Sequence, residues 1–452
     1  MKSVQEGTKL DRLVADAVIG IDTLWGGDVM HPSGTGRFIA DSWFSGASLP
    51  EAYTHPTAAE LRESGGVGAK RPDRTAIESY LEAIDVRGAI EDLAEHVETF
   101  PNKRRSYLQG LVPCFQVMWD LAMERLGKGP RVSYDRCVFA STGSAPQPSN
   151  PSAKRKRVRE LLDKAGFPSS GSDELCAAID AWRAERAVPT SSIGALSSAF
   201  ISELEQLSRK NLMPYLPKTL NAVPLANIRF LPITGAWFSG SMNYLGRARK
   251  PDGSPEYEAS YEINASLQIS VPEFQQLVSH EVVPGHVTTF AFLQNLYERK
   301  RVGFEATVLT MNTLAASLFE GLANHGLLIA YGVTEVEQLP DPDLQIGVLL
   351  ALLQDDAKNQ ASWLTWQEGL EPSEVAAVLR RDYLVSEERA KSLSGPWGRH
   401  PLLGRMCLPA YRAGTERVAA LRRKYPPEQI LPALYGCCGL VDLVTIEDAL
   451  KK

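Results

Sequence analysis

The chain has 452 residues, 44% of them hydrophobic and 23% charged, with a formal net charge of −6. That length and composition allow a large core without metal staples or a disulfide framework, and the mildly acidic balance argues against nucleic acid or a membrane surface as the working partner. Six cysteines in so long a chain are not a bridging pattern. Cys437 and Cys438 are adjacent, where a bridge strains the intervening peptide, so all six read as reduced and the compartment as cytoplasmic.

At the N-terminus, Glu6, Lys9, Asp11, Arg12 and Asp16 interrupt any apolar leader core, and no secretory signal is expected. No uncharged apolar run reaches the roughly 18 residues of a membrane-crossing helix. Helical periodicity begins at 8–24 and returns at 74–98 behind Asp73. Leu108, Leu111, Val112, Phe115, Met118, Trp119 and Ala122 then fall on one buried helical stripe. The Ser/Pro-rich stretch 141–152 reads as a loop and a possible hinge. Behind it, Lys154-Arg155-Lys156-Arg157 reads as a solvated, partly disordered face rather than a nucleic-acid site.

Helical patterns resume at 173–187, opened by Ser172, and at 191–212. We divide the chain into an N-terminal helical lobe, 1–190, and a catalytic lobe, 191–452, with one continuous domain as the alternative. Residues 228–231 read as extended. So do 257–263, where Tyr257, Ala259, Tyr261 and Ile263 share a face. Further helices are expected at 272–298, 304–331 and 343–368, after a start at Ser373, and at 407–424. The fold class is mainly α, with a small antiparallel sheet beside the 280 region.

Chemistry concentrates at residues 280–286, HEVVPGH, which hold two of the seven histidines. Without Pro284-Gly285 the segment is HEVVH, in which two histidines one helical turn apart bind zinc and the glutamate acts on the metal's water. With the insertion, His280 and His286 are splayed by about 120° on a straight helix. Pro284 lacks the N–H for the carbonyl of residue 280 and clashes with it, and Gly285 tolerates almost any backbone angle. The pair therefore predicts a kink or bulge that lets both histidines reach one ion. Glu320 is the expected third ligand, because a carboxylate in the apolar helical run Leu314 to Ile329 is costly unless paired or metal-bound. Ala315, Ala316, Gly321, Ala323 and Gly326 would let that helix approach HEVVPGH closely. His325, five residues on, reads as a satisfied histidine, and Cys437-Cys438 as a buried apolar pair.

HExxPGH followed by an EGxA helix resembles the bacterial domain-of-unknown-function family 885. The resemblance runs from about residue 225 onward and includes Tyr411-Arg412-Ala413-Gly414, with Asn264 ahead of the zinc helix. It implies a helical, bundle-like metallopeptidase fold, similar to carboxypeptidase Taq and the oligopeptidases. It also implies a deep channel that favours short peptides, with Tyr411 as donor to the oxyanion. The surroundings depart from the family: Asn324, His325 and Leu327 stand in the stretch usually read EGWALYAE, and Asn359 replaces a histidine four residues after Asp355. The expected function is a zinc-dependent metallopeptidase with ligands His280, His286 and Glu320, general base Glu281, and Tyr411. The alternatives are a zinc hydrolase or lyase on a small non-peptide molecule, and a binding protein without turnover. Neither nucleic acid nor membrane is an expected partner.

Overall fold

A computed structural model of the chain describes residues 2–26, 35–63, 74–99, 104–233, 240–264 and 269–451. The predicted start at Asp73 lies outside these residues, as does the side chain of Asn264. The molecule is mainly helical, with one three-stranded sheet.

The N-terminal part packs helices α1 (Lys2–Gly26), α2 (Val86–Thr99), α3 (Arg105–Arg125) and α4 (Tyr134–Thr142) around one apolar core. On α3, Leu108, Leu111, Val112, Phe115, Met118 and Ala122 are buried at the predicted spacing, with Trp119 partly buried against the same core. Trp25 of α1 donates its indole N–H to the carbonyl of Met118, 2.9 Å away.

The larger core takes in α5 (Ser152–Lys164), α6 (Ser172–Glu185) and α7 (Ile193–Asn211), then α8 (Val271–Glu281), α9 (His286–Glu298), α10 (Leu314–Asn324), α11 (Pro342–Trp366) and α13 (Leu408–Lys424). Val158, Leu161, Ile179 and Trp182 belong to this second core, which Phe44 also joins, while Phe304, Ala315 and Leu402 belong to the first. A third, small cluster holds the end of α11 against α12 (Pro372–Tyr383). Ser373 is the second residue of α12, not its cap; Glu371 caps it, its N–H bonded to the Glu374 carboxylate at 3.0 Å.

Residues 143–151 form a strap rather than a hinge. Ser149 donates to the Gln360 side chain (2.8 Å) and to the Asp356 carbonyl (3.0 Å), while Tyr383 and Asn359 donate to strap carbonyls. The basic run is likewise not a solvated face. Lys154 reaches the buried Asp356 carboxylate at 2.7 Å, Arg155 lies 3.6 Å from Asp382, and Arg157 donates to Gln345 at 3.1 Å. Lys156 alone of the four is exposed.

The sheet consists of β1 (Ile228–Ile233), β2 (Gly240–Leu245) and β3 (Glu258–Asn264) in the order β1-β3-β2. It is mixed rather than antiparallel. β3 pairs parallel to β1 (Ile228 opposite Ala259) and antiparallel to β2 (Gly240 opposite Ile263). Ala259, Tyr261 and Ile263 face the core as predicted, whereas Tyr257 precedes the strand with φ 54°. β2 stacks Tyr244 on Phe290 of α9, centroids 5.3 Å apart, and Tyr244 donates to Gln294 at 2.5 Å.

Candidate metal centre

The segment HEVVPGH folds as two helices, not one distorted helix. Ser270 and Glu273 cap the start of α8 reciprocally. Glu273 is held in turn by Arg183 of α6 at 2.7 Å. α8 ends at Glu281 with Val282 as C-cap, and α9 begins at His286. The Val283–Pro284 peptide is cis. Gly285 has φ −75°, so its freedom at positive φ is not what the turn uses. What matters is its missing Cβ, which would lie 1.7 Å from the carbonyl oxygen of His280. The turn is tied down by the Gly285 N–H to the Ser279 carbonyl (3.1 Å) and by the buried Tyr435 hydroxyl to the Pro284 carbonyl (2.8 Å).

This break aims both histidines at one point. Their ring centroids are 4.7 Å apart with planes at 89°. Glu320, on α10, completes the group. His280 Nε2 lies 3.5 Å from Glu320 Oε2, and His286 Nε2 lies 3.7 Å from Oε1. One ligand atom from each residue lies within 4.8 Å of the others. Donors at about 2.0–2.1 Å around a tetrahedral zinc stand roughly 3.3–3.4 Å from each other, so the spacing suits such an ion. Glu320 Oε2 is buried with no hydrogen-bond partner among the described residues, the state expected of a carboxylate oxygen reserved for a cation.

Small residues set these approaches differently from expectation. A Cβ on Gly326 would lie 2.7 Å from the Ser279 carbonyl, so that glycine does bring its segment close to α8. Gly321 instead meets α13, where its Cβ would fall 2.2 Å from the Gly414 carbonyl.

An inner polar network supports the ligands. His280 Nδ1 donates to Asn324 Oδ1 at 2.7 Å, which leaves the Nε2 lone pair for a cation. Asn324 donates to Asp355 Oδ2 (2.6 Å) and to Thr415 (2.9 Å), and Thr415 donates to the same Asp355 oxygen (2.9 Å). Lys358 of α11 donates to Asp355 Oδ1 at 3.2 Å.

Electrostatics separate the groups. Burial, then the charge of His286, pushes His280 down to about 3. Burial pushes Glu320 up, but the hydrogen bond and charge of His286, with His280 and Lys358, overcome it and hold the carboxyl at about 2. Burial lowers His286, yet Glu320 and Glu281 raise it overall. Glu281 is pushed up to about 7, chiefly by burial; His286 opposes this and Glu320 adds to it.

His280, His286 and Glu320 therefore come together as predicted, with Glu281 electrostatically coupled to them. Tyr411, on α13, is also near: the charge of Glu320, then burial, raises its hydroxyl well above the ordinary value. Its ring, however, lies under the Lys358 ammonium, 3.2 Å from Nζ to the centroid. His325 is buried, its Nδ1 2.9 Å from the Gly321 carbonyl. Leu327 is core, and Asn359 pins the strap. Sequence reasoning missed Lys358 and Thr415, and named Asn324 only as a departure from the family. The available signal for the first was the charged run Asp355, Asp356 and Lys358, which follows the apolar stretch Ile346 to Leu353 of the same helix. It also missed Tyr261, whose buried hydroxyl has no partner among the described residues and feels the charge of Glu281.

No family model and no curated protein sequence matches the chain. Solved structures do. A chain from Colwellia psychrerythraea, described as a candidate lipoprotein, is 12% identical, with 99% of this chain and 98% of that one covered and a TM-score of 0.56. A candidate lipoprotein of unknown function from Shewanella oneidensis is 15% identical, with 95% and 83% covered and a TM-score of 0.52. At these identities the likeness is one of fold. Among the described residues no helix is long and apolar enough to cross a membrane, and the six cysteines are free, Cys438 exposed and Cys437 partly so.

Proposed function

We propose that this chain is a zinc-dependent hydrolase cleaving amide bonds of short peptides, in the manner implied by the family its HEVVPGH segment resembles. The observation that carries the reading is the convergence of His280, His286 and Glu320 across a broken helix, with donor atoms within 4.8 Å and Glu281 coupled to them. Bound there, zinc supplies Lewis acidity, polarising a carbonyl and easing loss of a proton from an attacking water. Asn324 fixes the tautomer of His280. Glu281, with its carboxyl near neutrality, suits a base that takes a proton from water and returns it to the leaving nitrogen. The ligand side chains are only 10–15% exposed, which favours small substrates over folded proteins. We also assign the chain to the cytoplasm, on its free thiols; cell fractionation checks this.

The deciding experiment is elemental analysis followed by turnover on a dipeptide library. About one zinc per chain is expected for a three-ligand site, and His280→Ala or His286→Ala should lose it. Full zinc retention in both variants would overturn the site. Bound zinc with no peptide turnover would move the reading to a small non-peptide substrate or to a binding protein.

A further inference from the structure

Lys358 stands out among the charged groups of the centre. Its side chain is 16% exposed, and its ammonium is held from two sides, by Asp355 Oδ1 at 3.2 Å and by the face of Tyr411 at 3.2 Å from the centroid. Asp355 is itself anchored, its other oxygen taking bonds from Asn324 and Thr415. The lysine is thus three hydrogen bonds away from His280, through Asp355 and Asn324. An ammonium has three donors in all. One goes to the carboxylate and one side meets the aromatic face, so a donor is left over. The lysine's charge is felt at His280, Glu281, Glu320 and Cys407 alike.

We propose that Lys358 is a catalytic residue of this site, its ammonium donating to the substrate carbonyl oxygen and opposing the negative charge that gathers there when water adds. Tyr411, the donor expected from the family resemblance, becomes the seat that aims it. The proposal rests on the hydrolase reading above. In the addition step the water oxygen bonds to the carbonyl carbon, the carbon–oxygen π pair moves onto oxygen, and the water proton goes to Glu281. In collapse the carbonyl reforms and the carbon–nitrogen bond breaks. Its electron pair stays on nitrogen, which takes the proton from Glu281. Lys358 keeps its proton throughout. The charge balance agrees: an ion and Lys358 bring three positive charges, and Glu320 and Asp355 bring two negative ones. One positive charge is left for a single anionic oxygen once Glu281 is protonated. Preorganised donors of this kind act mainly in the transition state.

The test compares wild type, Lys358→Gln and Lys358→Arg as full-length, zinc-loaded protein, with a phosphinic dipeptide isostere as the anionic tetrahedral probe and an N-acetyl dipeptide amide as the ground-state probe. Calorimetry should show phosphinate binding weakened about tenfold or more in Lys358→Gln, with the amide changed less than about threefold. In turnover, kcat should fall by roughly 10²–10³ at little-changed KM, and Lys358→Arg should recover at least about a tenth of the wild-type rate. Zinc content should stay at one per chain. Should Lys358→Gln fail to fold with Asp355 left unpaired, Lys358→Gln combined with Asp355→Asn serves instead. Equal weakening of both probes, or of neither, overturns the proposal. Peptide turnover that survives in Lys358→Gln at the wild-type rate overturns it while leaving the hydrolase reading intact. A wild type that hydrolyses no peptide overturns the peptidase reading. In that case the phosphinate contrast still decides whether Lys358 recognises an anionic oxygen.

Discussion

Glu281 and Glu320 are both carboxyls in the same buried neighbourhood, yet one is held at about 2 and the other pushed to about 7. Divergence of this kind separates a ligand from a base. On the proposed reading, Glu281→Gln should therefore retain zinc and fold while turnover falls by about 10²–10⁴-fold; unchanged rates would assign the proton transfer elsewhere. His325 allows a second expectation. Burial, then the charge of Arg422, holds it down at about 3, below its ordinary value of about 6.5 in the unfolded chain. The unfolded chain then binds the extra proton between those values. The stability His325 allows is complete above about pH 6.5 and is lost as pH falls toward 3, with a slope of about 1.4 kcal/mol per pH unit. Urea titrations across that range should show the slope reduced in His325→Leu; an identical slope would mean the ring is protonated in the folded state. At this scale much could be read from sequence. Two scarce histidines flanking Pro-Gly and a glutamate in an apolar helix carry their chemistry in residue type and spacing. Asn324 and Lys358 do not, because their roles exist only once α8, α10, α11 and α13 meet.

Among the elements, the break between α8 and α9 matters most to the site. Gly285→Ala forces a Cβ against the His280 carbonyl. The turn must open, at about the 1–3 kcal/mol of an overpacked interior. The variant should remain soluble and helical, as circular dichroism can check, and on the proposed reading should lose most of the zinc on dialysis. Retention of wild-type zinc would show that the turn has slack. A Pro-Gly insertion announces a distortion of the helix, but not whether the result is a bulge or two separate helices, since that depends on contacts such as Tyr435 with Pro284. The sheet was half legible. β1 and β3 show themselves by β-branched and aromatic residues. β2, GSMNYL, opens on two small residues and lacks β-branched ones, and its extension rests on the edge that β3 offers. The parallel pairing of β1 with β3 follows from the path of the chain between them, which no local pattern encodes.

In the whole molecule, the strap and the basic run behind it are held against α11 and α12. Lys154→Gln leaves the Asp356 carboxylate, 3% exposed, without its 2.7 Å partner. Arg412 lies 3.6 Å from the other oxygen, and Lys154 is itself 29% exposed, so the cost should fall at or below the lower end of the roughly 3–5 kcal/mol for a broken buried pair. Lys156→Gln should stay within about 0.5 kcal/mol, as surface changes do. Equal denaturation midpoints for the two variants would return the run to a solvated face. Charge runs mislead a linear reading because their partners, here Asp356, Asp382 and Gln345, lie far along the chain. On the proposed reading, the broken helix also has a thermodynamic consequence. The three ligands come from three separate helix segments, so an ion seated among them acts as a cross-link, and its occupancy becomes part of the folding equilibrium. At a free concentration about a hundredfold above its dissociation constant, such a ligand adds about 2.7 kcal/mol to the native state. The zinc supply of the cell would then set how much of this protein persists as well as how fast it works.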